Sequence, residues 1–437
     1  MKQYDVAIVG GGISGLVASI YVARAGYSVI LLEKSSQLGG RGLTIRKKSA
    51  MLNLGVHAFY QDGAGENILK ELGISLKGAN PSASAVGVWK NKVYSIPTGP
   101  LQLLSDKLFS LKGKMSLTRL MMTLNKINTD EIGNISLKEW AEKEIDVPMV
   151  RFLLFAICRS NSFVPYPDLH LAGPALQQMQ RTFSGKAFYI TEGWGTLVED
   201  LKIQASLAGV TIMNRRNVIE IKHDMNVQSI IFGNGDTLEV PYVIVTAGLE
   251  ETYNLVKNAE HTKLELWKSQ ARPVNAACLD LVLRKLPKPD VNFIAGFWMD
   301  QPIFYNNPTS VTKMSEDGSV VIHLVKHLGT NSGNAKLDLL QLEKAMDVVQ
   351  PGWKKEEITR QFLPHITVSH DFNSLDRNDL SPGPSVPEIP GLYVAGDWTG
   401  RGEMLVDASL GSSKRAALAI IEELNAKGDI HEHREVI

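Results

Sequence analysis

Near the start of the chain, Gly10-Gly11-Gly12-Ile13-Ser14-Gly15 has the GxGxxG spacing that lets a backbone approach a phosphate. Alone, such a turn is common. Here the apolar run Asp5-Val6-Ala7-Ile8-Val9 precedes it, a helical pattern from Leu16 to Ala25 follows, and Ser28-Val29-Ile30-Leu31-Leu32-Glu33 reads as a second strand. Gly10 permits the tight turn, Gly12 the close approach of a pyrophosphate, and Gly15 the packing of helix on strand. The helix opening around Ser14 offers unpaired N–H groups and a partial positive charge to the phosphates. Glu33, eighteen positions beyond Gly15, can accept from a ribose diol and would repel a 2′-phosphate; Lys34 beside it joins the expected contact set. The pattern predicts a dinucleotide-binding strand–helix–strand unit with a right-handed connection.

A second glycine motif narrows the choice of dinucleotide. Leu38-Gly39-Gly40-Arg41-Gly42-Leu43-Thr44 resembles the one found in the large flavoprotein superfamily of amine oxidases, protoporphyrinogen oxidases and phytoene desaturases. The resemblance implies FAD, with Gly40 close to the cofactor and Arg41, a permanent cation with a bidentate fork, on its phosphates or flavin edge. Leu52-Asn53-Leu54-Gly55-Val56-His57 is similar to that family's loop under the isoalloxazine, with Asn53 where an acidic residue is usual. Arg216 to Ile221 and Val243 to Gly248 are similar to the adenine-binding part, which implies contacts at Val218 and Ala247. Pro390 to Thr399 resembles the C-terminal FAD motif, in which Gly396 and Asp397 meet the ribityl chain. Val406 stands where the family's last helix points its N-terminus at the flavin pyrimidine, a placement that stabilises negative charge on reduced flavin. No cysteine lies between 396 and 406, so the FAD is expected to be non-covalent.

The wording Gly396-Asp397-Trp398-Thr399 and Asp407-Ala408-Ser409 leans toward the desaturase branch. The implied activity is removal of a hydride from a largely apolar small molecule, with oxygen or a quinone as electron acceptor. A flavin-containing amine oxidase is the alternative, and a non-redox FAD-dependent isomerase is a further one. No second GxGxxG is present for a nicotinamide. For catalysis two residues are nominated. His57 would lie near the flavin and is a natural proton carrier, or is a satisfied structural histidine. Trp398 would wall the site or fill core.

These residues need a scaffold of discontinuous segments. The expectation is an α/β fold: a Rossmann-like FAD-binding domain of the glutathione-reductase type from 1–90, 190–250 and 385–428, and a mixed α+β substrate domain with a helical cap from 91–189 and 251–384. Residues 429–437 are expected to be a frayed tail carrying His431 and His433. Segment 101–127 sets Lys107, Lys112, Lys114, Arg119 and Lys126 against the single acid Asp106, with Leu, Phe and Met between. It fits a cap helix packed on the core or an amphipathic face in peripheral contact with a membrane.

Acidic and basic residues balance at 46 each, which argues against nucleic acid as a partner. Cys158 and Cys278 lack CxxC spacing and suggest buried thiols in a reducing compartment, with no metal site. Strand pattern begins directly after Met1-Lys2-Gln3-Tyr4, and no apolar run reaches the roughly 20 residues of a bilayer span. A cytoplasmic protein, membrane-peripheral at most, is expected.

Overall fold

The computed structural model describes residues 3–81, 84–97, 100–377 and 382–435. Short, buried, Val-, Ile- and Leu-rich runs build most strands of its central parallel sheet, as expected of strands covered on both faces, while the edge strand 211–213 is half-buried. The strands are β1 (Val6–Val9), β2 (Val29–Leu32), β3 (Thr211–Met213), β4 (Tyr242–Val245) and β5 (Leu392–Val394), in the order β3-β2-β1-β4-β5. Between β1 and β2 runs α1 (Ile13–Arg24), almost wholly buried. Three stretches far apart in sequence thus share one sheet, with the glycine turn at the carboxyl end of β1. An antiparallel meander, Val218–Asp224, Asn226–Phe232 and Thr237–Glu239, stands beside it.

A seven-stranded sheet forms the other half of the molecule. Its spatial order is 357–369, 274–283, 320–329, 303–306, 295–298, 85–89 and 92–95. All its pairings are antiparallel except that of Ala295–Trp298 with Ala85–Trp89. Over it lies the helical cap, chiefly α2 (Leu111–Leu124), α3 (Pro148–Ser162) and α4 (Ala172–Phe183). The last helix, α5 (Leu405–Glu435), packs back against α1. No helix among the described residues is long and apolar enough to cross a membrane.

Three expected boundaries shift. Ala85–Trp89 belongs to the seven-stranded sheet, because Val86 and Val88 fit the core formed by Leu279, Leu281 and Trp298. Residues 249–271 pack as helices onto the parallel sheet, where Leu249, Val256, Leu264 and Trp267 share a core with Val243, Val245 and Trp398. Helix α5 continues through the segment read as a frayed tail to Glu435, with no proline to stop it; the side chains of His431 and His433 lie outside the described ones.

Candidate functional site

A cavity of about 1130 Å³ runs from the glycine turn, past the carboxyl ends of β1 and β4, to the helical cap. At its first end the three motif glycines are distinct. A Cβ on Gly15 would sit 1.9 Å from the carbonyl oxygen of Gly10, so only glycine lets α1 pack on the turn. A Cβ on Gly12 would meet no protein atom within 4 Å, because that position faces the open cavity. Gly12 caps α1 without a side-chain hydrogen bond, and no acidic residue occupies the first turn. The leading N–H groups of α1 are thus left for an anion, beside Ile13 and Ser14 in the cavity wall.

Glu33, buried at the end of β2, accepts from the Gly11 N–H at 2.8 Å and from Ser35. Lys34 is exposed and paired with Glu251 at 2.9 Å. Arg216, Asn217, Val218 and Ala247 close this end. Further along, Gly40 and Arg41 border the cavity. Arg41 Nη1 donates to Asp397 Oδ2 at 2.7 Å and to the carbonyl of Val368 at 2.7 Å. His370 holds the same carboxylate from the other side, through its backbone N–H and through Nδ1, each at 3.0 Å. Burial alone would raise the Asp397 carboxyl, but Arg41 and His370 hold it well below the usual carboxylate range.

The middle of the cavity is bordered by Val56, His57, Met404, Leu405 and Val406. The first residue of α5, Leu405, has φ +55°, a left-handed backbone that costs a leucine about 1–3 kcal/mol. Such outliers persist where the surroundings fix them, and this one sets the direction of the α5 N-terminus beside the cavity. Asp407, in the first turn, accepts from Arg181 at 2.6 Å and from the Gly65 N–H at 2.9 Å, tying α5 to the cap.

Beyond lies a chamber walled by Leu117, Leu120, Leu153, Ile157, Phe297 and Phe304. Its polar patch is Tyr60, Asn161 and Gln178. Tyr60 donates to Asn161 Oδ1 at 3.3 Å, while Asn161 Nδ2 is buried without a partner.

The cavity walls bring together all the expected cofactor contacts except Gly15 and Gly396, which are packed just behind them. Of the two catalytic nominees, His57 faces the cavity, but Nδ1 and Nε2 each lie 3.1 Å from a backbone carbonyl, of Gly55 and Arg41. The ring also packs edge-on against Trp194, with centroids 5.0 Å apart. Burial lowers its pKa against the pull of the Gly55 carbonyl, and its ring braces the loop of Gly55 against that of Arg41. Trp398 does not wall this cavity. It is fully buried against Trp267, and its Nε1 donates to the Ala247 carbonyl at 3.1 Å.

Sequence reasoning missed His370, Arg181 and Asn161. None sits in a motif, and each acquires its role from a partner on another element. Among the described residues no group of three His, Cys, Asp or Glu could hold a metal ion. The cradle fits FAD: glycine backbone and a helix end for phosphates, buried acids for its hydroxyls, and a cavity larger than the roughly 300–1,000 Å³ of a one-ligand site.

Comparison with known proteins agrees. Rat amine oxidase B is 30% identical over 165 residues, 37% of this chain and 30% of that one. The carotenoid 3,4-desaturase of Haloarcula japonica is 49% identical over 51 residues, 12% of this chain and 10% of that protein. The chain thus spans less than a third of the length of these curated relatives. An oxidoreductase of Methanosarcina mazei has the same fold, with a TM-score of 0.72 at 18% identity over 94% of this chain and 99% of its own. Residues 13–276, more than half of the chain, match the family described as flavin containing amine oxidoreductase. The chain belongs to that family and takes FAD as its cofactor.

Proposed function

We propose that this protein is an FAD-dependent oxidoreductase that removes two electrons, as a hydride, from a C–H bond of a largely apolar small molecule, with oxygen or a quinone as the final acceptor. The observation that carries the reading is one continuous cavity with a dinucleotide cradle at one end and an apolar chamber at the other. Bound FAD supplies the hydride-accepting chemistry. The chain's own residues bind, orient and exclude water. The Arg41–Asp397 pair holds the wall where Gly40, Arg41 and Asp397 border the cavity, and the N-terminus of α5 favours negative charge on a ring held beside it. Leucine, isoleucine and phenylalanine walls keep water from the reacting carbon.

The carboxylates are what favour an apolar substrate over an ammonium. Those lining the cavity, among the described residues, are Glu33, Glu251, Asp397 and Asp407, and each is already engaged. None is left to receive a substrate cation. The unpartnered Nδ2 of Asn161 suits a substrate with one acceptor oxygen, since a buried donor left unmade costs about 1–3 kcal/mol.

The test is anaerobic mixing of the holoprotein with polyenes, porphyrinogens and amines, following the oxidised-flavin absorbance. Bleaching by an apolar compound and none by amines is expected. Bleaching by amines alone would overturn the substrate class. A bound flavin that none of them reduces, with a substrate isomerised once the flavin is reduced chemically, would overturn the redox reading.

A further inference from the structure

We propose that the outer face of α2, with the segment that leads into it, docks this protein on an anionic lipid bilayer. Helix α2 has two apolar faces. Gly113, Leu117, Leu120 and Leu124 are buried, and Leu117, Leu120 and Met121 border the chamber. On the opposite side, Leu111, Met115 and Met122 fall within about 40° of one another at 3.6 residues per turn. They are 76%, 67% and 67% exposed, and Leu104 just before them is 75% exposed. Elsewhere among the described residues only Leu207 and Met225 reach such values. A stripe of large apolar side chains in water marks an interaction surface.

Charge selects the occupant. Lys112 and Arg119 flank the stripe on one side and Lys114 on the other, with Lys107 and Lys126 at its ends. The Lys114 ammonium donates to the Leu104 carbonyl at 2.9 Å, holding the leading segment against α2. The only acid in 101–127, Asp106, is turned onto the N–H groups of Leu108 and Phe109. In a chain with 46 residues of each sign this is a local surplus of positive charge. Apolar residues between long cationic side chains match the layering of an anionic interface. A second copy docked about a two-fold axis would set these cations against each other. The same helix roofs the chamber, so a molecule dissolved in the bilayer would need to travel only past α2. The proposal concerns this surface alone and stands whether or not the redox reading holds.

The experiment is co-sedimentation of the holoprotein with phosphatidylcholine vesicles, with and without phosphatidylglycerol. Binding to the anionic vesicles, weakened by salt, is expected. The doubly substituted M115S/M122S protein should bind at least about tenfold more weakly, since each methionine withdraws apolar surface from water. Each of Lys112→Gln and Arg119→Gln should cost about fivefold. All these side chains point outward, so flavin absorbance and far-UV circular dichroism should match the parent and show that the variants fold. A holoprotein that ignores anionic vesicles overturns the proposal, as do variants that bind as the parent does. So does a dimer that M115S/M122S dissociates without any binding to vesicles, which would assign the stripe to self-association.

Discussion

Asp397 receives Arg41, His370 Nδ1 and the His370 N–H at once, which is why its carboxylate stays ionised although it is buried. Burying such a charge is tolerable only when it is fully paired. Asp397→Asn keeps the shape and removes the charge. It should raise the FAD dissociation constant about tenfold to a hundredfold, the worth of a charged hydrogen bond, as measured by flavin fluorescence quenching on the apoprotein. His370→Ala should weaken FAD binding less, because Arg41 remains; equal losses in both variants would show that His370, not Arg41, orients the carboxylate. Asp397 was legible in the sequence because its neighbours form a motif. His370 was not, since the two residues meet only when the strand 357–369 ends beside the turn after β5. The same limit hid Arg181, whose partner Asp407 is on α5. It also left His57 open between proton carrier and structural histidine, because carbonyls facing both ring nitrogens cannot be read from residue types.

Among the elements, the β1–turn–α1–β2 unit was readable because each rule agrees locally: apolar strand, glycine turn, helix, apolar strand. Its glycines make a paired test. Gly15→Ala places a methyl 1.9 Å from the Gly10 carbonyl oxygen, so α1 must move off β1. The apoprotein should lose about 2 kcal/mol or more of stability, within the range for overpacking, along with FAD binding. Gly12→Ala meets no protein atom within 4 Å and has an ordinary φ of −73°, so the apoprotein melts as before while FAD affinity falls. Thermal melts with and without FAD distinguish the two; equal destabilisation of both apoproteins would refute the assignment of Gly12 to the phosphates. The seven-stranded sheet was less legible. Ala85–Trp89 follows the FAD segments in sequence but pairs with Ala295–Trp298, more than two hundred residues away, and nothing local marks that partner. Residues 249–271 likewise follow β4 and simply continue its core, where a change of domain was expected.

Across the whole molecule, two neutral histidines sealed in the substrate half make stability depend on pH. His170 lies in the cap, edge-on to Phe372, with Nε2 unpartnered and its pKa lowered to about 4 by burial. His327 is pushed well below the ordinary range by burial, with Arg159 acting in the same direction and the Phe163 backbone opposing them. An unfolded chain protonates each near about pH 6.5, whereas the folded chain resists protonation down to about pH 4 for His170. The unfolded state therefore binds more protons in that window, and stability is full above it and falls as the pH drops through it. Asp397 works in a lower range: its carboxylate is depressed, so its contribution persists above the unfolded carboxylate value of about 3.9 and is lost only in stronger acid. At about pH 5 His170 alone should cost on the order of 2 kcal/mol relative to neutral pH. Urea titrations of the apoprotein at neutral pH and at about pH 5 should show the midpoint falling, with a smaller drop in His170→Leu, which retains bulk but cannot take up a proton. The variant's midpoint at neutral pH matters less than this slope, because repacking around leucine shifts both pH values alike. An undiminished slope in His170→Leu would assign the acid sensitivity to His327 and to groups outside the cap.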